Sequence, residues 1–200
     1  MKRGLPARIG LGALLAAAFI LGLAWAFPWD SVVECSLAGI AGKGSLPGVQ
    51  VGYGWIRTTS RFPPRVEIGE LEAGNMLVTV LSPRAVLEAR PLDSLLRMAP
   101  SFAFESPAAT IRMTGTEPLA VKALKARGAL ERRGMSLDEA SAGGDLPFSG
   151  KGTWSARERR FTKADFLVTA PTRLAEGMAL LAASAGLKPE GDRRWRLLVP

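Results

Sequence analysis

The first thirty residues limit the architecture more than any other stretch of this chain. Lys2, Arg3 and Arg8 precede an uncharged run from Ile9 to Trp29, and Asp30 is the next charge. At about 1.5 Å per residue, a helix over that run is roughly 31 Å long, close to the hydrocarbon thickness of a bilayer. The basic residues flank it on the N-terminal side only, so the positive-inside rule sets the start of the chain in the cytoplasm. Trp25 and Trp29 fall where interfacial aromatic side chains belong. The expected organisation is a basic tail over residues 1–8, a transmembrane anchor over 9–29 and one domain over 30–200 beyond the membrane. A cleaved signal peptide also fits, because Ala24-Trp25-Ala26 has the small-x-small pattern. The apolar run is long for such a peptide, however, and Pro28 would follow the cut. Both readings export the same domain.

The rest of the chain excludes several kinds of chemistry. It contains no histidine. That removes the commonest general base, the Ser-His-Asp and Cys-His constellations and most catalytic zinc sites. Cys35 stands alone, so there is no intrachain disulfide, and it lacks the small residues that precede a lipidated cysteine. Ser149-Gly150-Lys151-Gly152 resembles part of a phosphate loop. Such a loop needs glycine where Asp145 stands and Ser or Thr where Gly152 stands. No Gly-x-Ser-x-Gly elbow, CxxC pair or EF-hand spacing occurs. The acids Glu67, Glu70, Glu72, Asp138 and Glu139 read as solvated strand and turn residues, not as a pair across a glycosidase cleft. An enzyme is not expected, and neither is a cofactor or metal.

The net charge is +8. Without the tail, 23 basic residues stand against 18 acidic ones, a surplus that suits an anionic surface. Nucleic acid is a poor partner for an exported domain without basic–aromatic interleaving. Arginines cluster at Arg57, Arg61 and Arg65, at Arg127, Arg132 and Arg133, at Arg157, Arg159 and Arg160, and at Arg193, Arg194 and Arg196. They read as a solvated rim, or as contacts to lipid headgroups or an acidic partner.

Beyond Asp30 the pattern begins helical. Asp30 suits the N-cap of a helix over Ser31–Ala41, with Val33, Leu37 and Ile40 on one face and Gly42 at its end. The period then becomes two, first over Val49–Trp55, with Arg57–Pro64 a turn-rich connection. Val66 and Ile68 alternate until the phase slips at Gly69, which predicts a β-bulge. Met76–Leu81 reads as a strand covered on both sides, and Ala85–Ala89 alternates. Pro91 opens a short helix to Met98 that Pro100 stops. Further strands are expected around Phe102–Phe104, Ile111–Met113, Leu119–Arg132, Met135–Leu137, Phe148–Arg157, Ala164–Val168 and Trp195–Val199. A helix over Thr172–Ala185 precedes the last of them. Tight turns between strands favour antiparallel pairing. The predicted fold is mainly β with an N-terminal transmembrane helix: a curved, mostly antiparallel open sheet with one or two short helices.

Phe148, Gly150, Gly152, Trp154 and Ala156 share one face of the clearest strand. Glycines on an apolar face predict that something packs closely over the sheet there. Phe102, Phe104, Phe148, Trp154, Phe166 and Trp195 read as core. In an open sheet the same side chains line a groove able to hold an acyl chain.

A basic start and an apolar helix lead to Phe27-Pro28-Trp29-Asp30, a short helix, a Gly/Pro loop and the strand Val49–Thr58. This order resembles the N subunit family of bacterial type II secretion systems. The stretch from Gly128 through Met135-Ser136-Leu137 and Phe148–Gly152, with the helix Thr172–Ala185 and the final strand, resembles that family and the wider AsmA-like group. The resemblance implies a single-pass inner-membrane protein, N-terminus cytoplasmic, whose periplasmic β-rich domain contacts other secretion subunits without catalysis. It supplies no catalytic, cofactor or metal residue. The expected groove or partner contacts are Phe148, Gly150, Gly152, Trp154, Phe166 and Trp195. The expected membrane-interface residues are Lys2, Arg3, Arg8, Trp25 and Trp29. The other reading is a lipid-handling envelope protein of the AsmA or lipopolysaccharide-transport type, with lipid in the groove.

Overall fold

A computed structural model describes residues 26–42, 50–75, 78–114, 117–158, 160–171 and 187–199, together with Ala18 and Gly22. The expected tail, nearly all of the anchor and the expected helix Thr172–Ala185 lie outside the described residues. Among those described, no helix is long and apolar enough to cross a membrane.

Among the described residues, eleven strands form one open, curved sheet, and every pairing in it is antiparallel. They are β1 (Gln50–Gly52), β2 (Trp55–Arg61), β3 (Pro64–Gly74), β4 (Val78–Ala89), β5 (Ser101–Met113), β6 (Leu119–Glu131), β7 (Gly134–Gly144), β8 (Phe148–Ser155), β9 (Arg160–Thr169), β10 (Lys188–Pro189) and β11 (Arg194–Val199). From β3 to β9 the order in space follows the order in sequence, and β11 then pairs with β9. β1 and β2 lie end to end along β3. At the other edge β10 is two residues long and ends in proline, which blunts it against further pairing.

The helices α1 (Trp29–Gly42) and α2 (Pro91–Arg97) flank this sheet. The α1 helix packs on β1, β2 and β3. Val33 is buried there with Val66, Ile68 and Ala85, and Trp29, Tyr53 and Ile56 pack around them. Asp30 is not a cap, since the helix starts one residue earlier. Its carboxylate accepts a hydrogen bond from Thr58. The expected connection Arg57–Pro64 is also corrected: its first half is strand β2, and only the turn at Phe62-Pro63 interrupts it. Thr58, Thr59 and Ser60 are polar because they lie along an edge strand. Helix α2 begins at Pro91 and is capped after Arg97 by Met98, whose φ of 53° places it in the left-handed region.

An irregular seam crosses the sheet. β4 and β5 each carry Ser-Pro near mid-strand, and proline has no N–H for a ladder. Their pairing lapses between Leu81–Thr110 and Val86–Glu105. The hydroxyls of buried Ser82 and Ser106 meet there at 2.8 Å, and each reaches the carbonyl two residues further on. Glu70 of β3 faces Pro83, and Ala123 of β6 faces Pro107. Both take positive φ, 53° and 51°. Register shifts in β6–β7 and β7–β8 extend the irregularity. The phase slip expected at Gly69 is therefore present one residue on, as a left-handed Glu70 without a register shift. Phe104 of β5 packs with the Val66 cluster, whereas Ala109 and Ile111, odd steps away, belong with Val121 and Ala142. Bulge-type irregularities bend and twist strands, which fits the curvature seen here.

Candidate functional site

The six residues expected to line a groove lie on three adjacent strands, β8, β9 and β11. Phe148 pairs with Val168, which pairs with Trp195. Gly150 pairs with Phe166, and Trp154 pairs with Phe161. The close approach predicted over the glycines comes from β9. A Cβ on Gly150 would stand 2.5 Å from Phe166 Cδ1 and 2.4 Å from the Asp165 carbonyl oxygen. One on Gly152 would stand 3.1 Å from Phe166 Cε2 and 3.2 Å from Phe161 Cδ1. The two phenylalanine rings meet edge to face at 5.4 Å. Aromatic rings laid across a glycine in this way shield its exposed backbone.

The remaining aromatic residues differ in exposure. Trp195 is only 7% exposed and packs with Leu119 and Ala170. Phe148 is half-buried beside Ala109, Val121 and Ala142. Trp154 and Phe166 are half-buried too. Trp29 packs at the start of α1, while Lys2, Arg3, Arg8 and Trp25 lie outside the described residues. Phe161 belongs to the aromatic ladder but was missed by the alternation.

The opposite face of the same strands is charged. Asp165 holds Arg196 through two bonds, to Nε at 2.8 Å and Nη2 at 3.0 Å. A third bond joins Arg196 Nη1 to Glu190 at 2.8 Å. The hydrogen bonds from Arg196 keep the Asp165 carboxyl below its ordinary value, helped by Lys151 and opposed by partial burial. The two carboxylates push the Arg196 guanidinium up. Two shallow clefts open on this side, of about 440 and 330 Å3, and Asp138, Lys151 and Asp165 border both. Asp138 is itself held by Arg97 of α2 at 2.6 Å. Further along this face Glu67 pairs with Arg84, and Lys125 with Glu105 at 3.7 Å. The acids singled out in the sequence thus serve largely as ion-pair partners. Among the described residues no cluster of three or more metal-ligating side chains occurs.

Among the described residues the arrangement is an open antiparallel β-sheet with an aromatic ladder on one face and ion pairs on the other. Over residues 7–198 the chain matches the family described as type II secretion system protein GspN-like, Synergistales, and it belongs to that family. The match carries no AsmA-like assignment. No curated protein and no solved structure matches the chain.

Proposed function

We propose that this protein is a non-enzymatic component of the type II secretion apparatus, held in the inner membrane by the uncharged run that begins at Ile9. Its sheet lies in the periplasm and contacts other secretion subunits. The observation that carries this reading is the family match, which spans nearly the whole chain. Two features support it. The uncharged run Ile9–Trp29 behind Lys2, Arg3 and Arg8 has the length and flanks of an anchor. The domain after it has no histidine.

The half-buried aromatic face around Phe148, Gly150, Trp154 and Phe166, backed by buried Gly152 and Trp195, is the surface we assign to partner contact. Lipid held on that face is the competing occupant. Deleting the gene tests the proposal. Type II substrates are expected to be retained inside the cell envelope, with secretion restored by the full-length chain. Unchanged secretion in the deletion strain would overturn it.

A further inference from the structure

We propose that one end of the sheet is a second membrane contact: the loops there rest on the anionic phospholipid surface of the bilayer that the anchor enters. The inference builds on the anchored reading given above. Because every pairing is antiparallel, the connections gather at two ends. One end holds the β2–β3 turn, the α2 segment, the β6–β7 turn and the β8–β9 turn. Large apolar side chains are exposed at this end. On α2 and its cap, Leu92 is 76% exposed, Leu95 77%, Leu96 83% and Met98 96%. Phe62 in the β2–β3 turn and Leu130 near the end of β6 are exposed too.

The α2 segment is fixed in place rather than loosely attached. Ser94 Oγ donates to the Arg90 carbonyl and accepts from the Ser101 amide, both at 2.8 Å. Arg97 is tied to Asp138, and the Leu130 amide donates to the Pro100 carbonyl at 2.7 Å. The structure therefore presents these leucines to solvent on a rigid mount, at a cost in exposed apolar surface that a partner would relieve.

Two observations identify the partner as a bilayer. The first is the course of α1. Its first turn bonds to Thr58 near the β2–β3 turn, and Glu34, one turn on, receives the Tyr53 hydroxyl further along the sheet. The helix thus starts at the end that carries the exposed leucines. The chain arriving from the Ile9–Trp29 run enters the domain there, and the exposed Phe27 ring lies tilted against that of Trp29, centroids 4.7 Å apart, at the entry point. The second observation is charge. Arg132, Arg133 and Arg157, in the turns beside the leucines, are exposed and make no ion pair among the described residues. Apolar side chains rimmed by free arginines suit the boundary between acyl chains and anionic headgroups.

The test uses the full chain in lipid nanodiscs containing phosphatidylglycerol, with Cys35→Ser as background. A fluorophore is placed at Leu96→Cys or Met98→Cys, at Pro118→Cys on the opposite end, or at Leu14→Cys in the anchor. Spin-labelled lipid with its label near the headgroup is the quencher. The expected result is quenching at Leu96 and Met98 at least about twofold above that at Pro118, since interfacial side chains sit only a few ångströms below the headgroups. That excess is expected to fall in discs of phosphatidylcholine alone and in an Arg132→Gln/Arg133→Gln variant. Quenching at Leu14 with none at Leu96 or Met98 would overturn the second contact and leave the anchor standing. No quenching at Leu14 would overturn the anchor, and the contact with it. Equal quenching in both lipids would overturn the anionic preference.

Discussion

Space, not backbone torsion, requires the glycine at position 150. Its φ lies outside the left-handed region, yet the Phe166 ring and the Asp165 carbonyl occupy the volume a methyl group would need. Gly150→Ala is therefore expected to cost about 1–3 kcal/mol, read from the midpoint of urea unfolding. Gly52→Ala, with nothing within 4 Å of the added carbon, is the control and should change stability by less than about 0.5 kcal/mol. Equal effects would show that the aromatic cover contributes nothing. The need for these glycines was legible from Phe148, Gly150, Gly152 and Trp154 alternating with polar residues. The identity of their cover was not. Trp154 pairs with Phe161, because Thr162 is an extra residue in β9 and changes the parity there. Asp165 and Arg196 lie 31 residues apart, and only the β9–β11 register brings them together. Their pairing makes a signed prediction. The folded-state value of Asp165 lies below its ordinary 3.8, so the ion pair stabilises the fold above that pH. The contribution disappears as pH falls through the lowered folded value. The difference in Tm between the natural chain and Asp165→Asn should thus be largest near neutral pH and shrink as the pH falls below about 4. A difference independent of pH would contradict this.

At the scale of elements, the described side chains that join α1 to the sheet lie in its first two turns. Val33 is its one buried side chain among those described, while Asp30 and Glu34 supply polar ties to Thr58 and Tyr53. Burial and the nearby Glu34 carboxylate both raise the Tyr53 phenol, so it keeps the proton it donates well into alkaline solution. Val33→Ala should cost about 2 kcal/mol and speed hydrogen exchange in α1, while β5 to β8 keep their protection. Uniform loss of protection would show instead that α1 and the sheet unfold as one unit. The existence of α1, α2 and most strands was legible from the change of period after Gly42 and from Pro91 and Pro100. The Ser-Pro seam was not. The strands expected to end at Leu81 and to resume at Ala85 are one strand through Pro83, and those around Phe102–Phe104 and Ile111–Met113 are one strand through Pro107; the two interruptions face one another and leave the register intact. The Phe62-Pro63-Pro64 run and polar Thr58–Ser60 likewise concealed β2, because an edge strand needs no apolar alternation.

For the whole molecule, meander order from β3 to β9 followed from the tight turns, and antiparallel pairing with it. The closing exchange, in which β11 and not β10 lies beside β9, has no local signal. Neither does the gathering of Phe62, Leu92, Leu96, Met98 and Leu130 at one end, since these residues are far apart in sequence and only topology unites them. The account predicts an oriented molecule: the loop end on the membrane, the aromatic face of β8, β9 and β11 turned toward protein partners, and α1 connecting anchor to sheet. Cys35 is exposed on α1 and offers a single natural attachment point near the membrane exit. A photoreactive maleimide at Cys35, illuminated in intact cells and followed by mass spectrometry of the purified adducts, tests the central claim most directly. The account predicts adducts with inner-membrane or secretin subunits of the secretion apparatus. Adducts with phospholipid or lipopolysaccharide alone, and none with a secretion subunit, would contradict it.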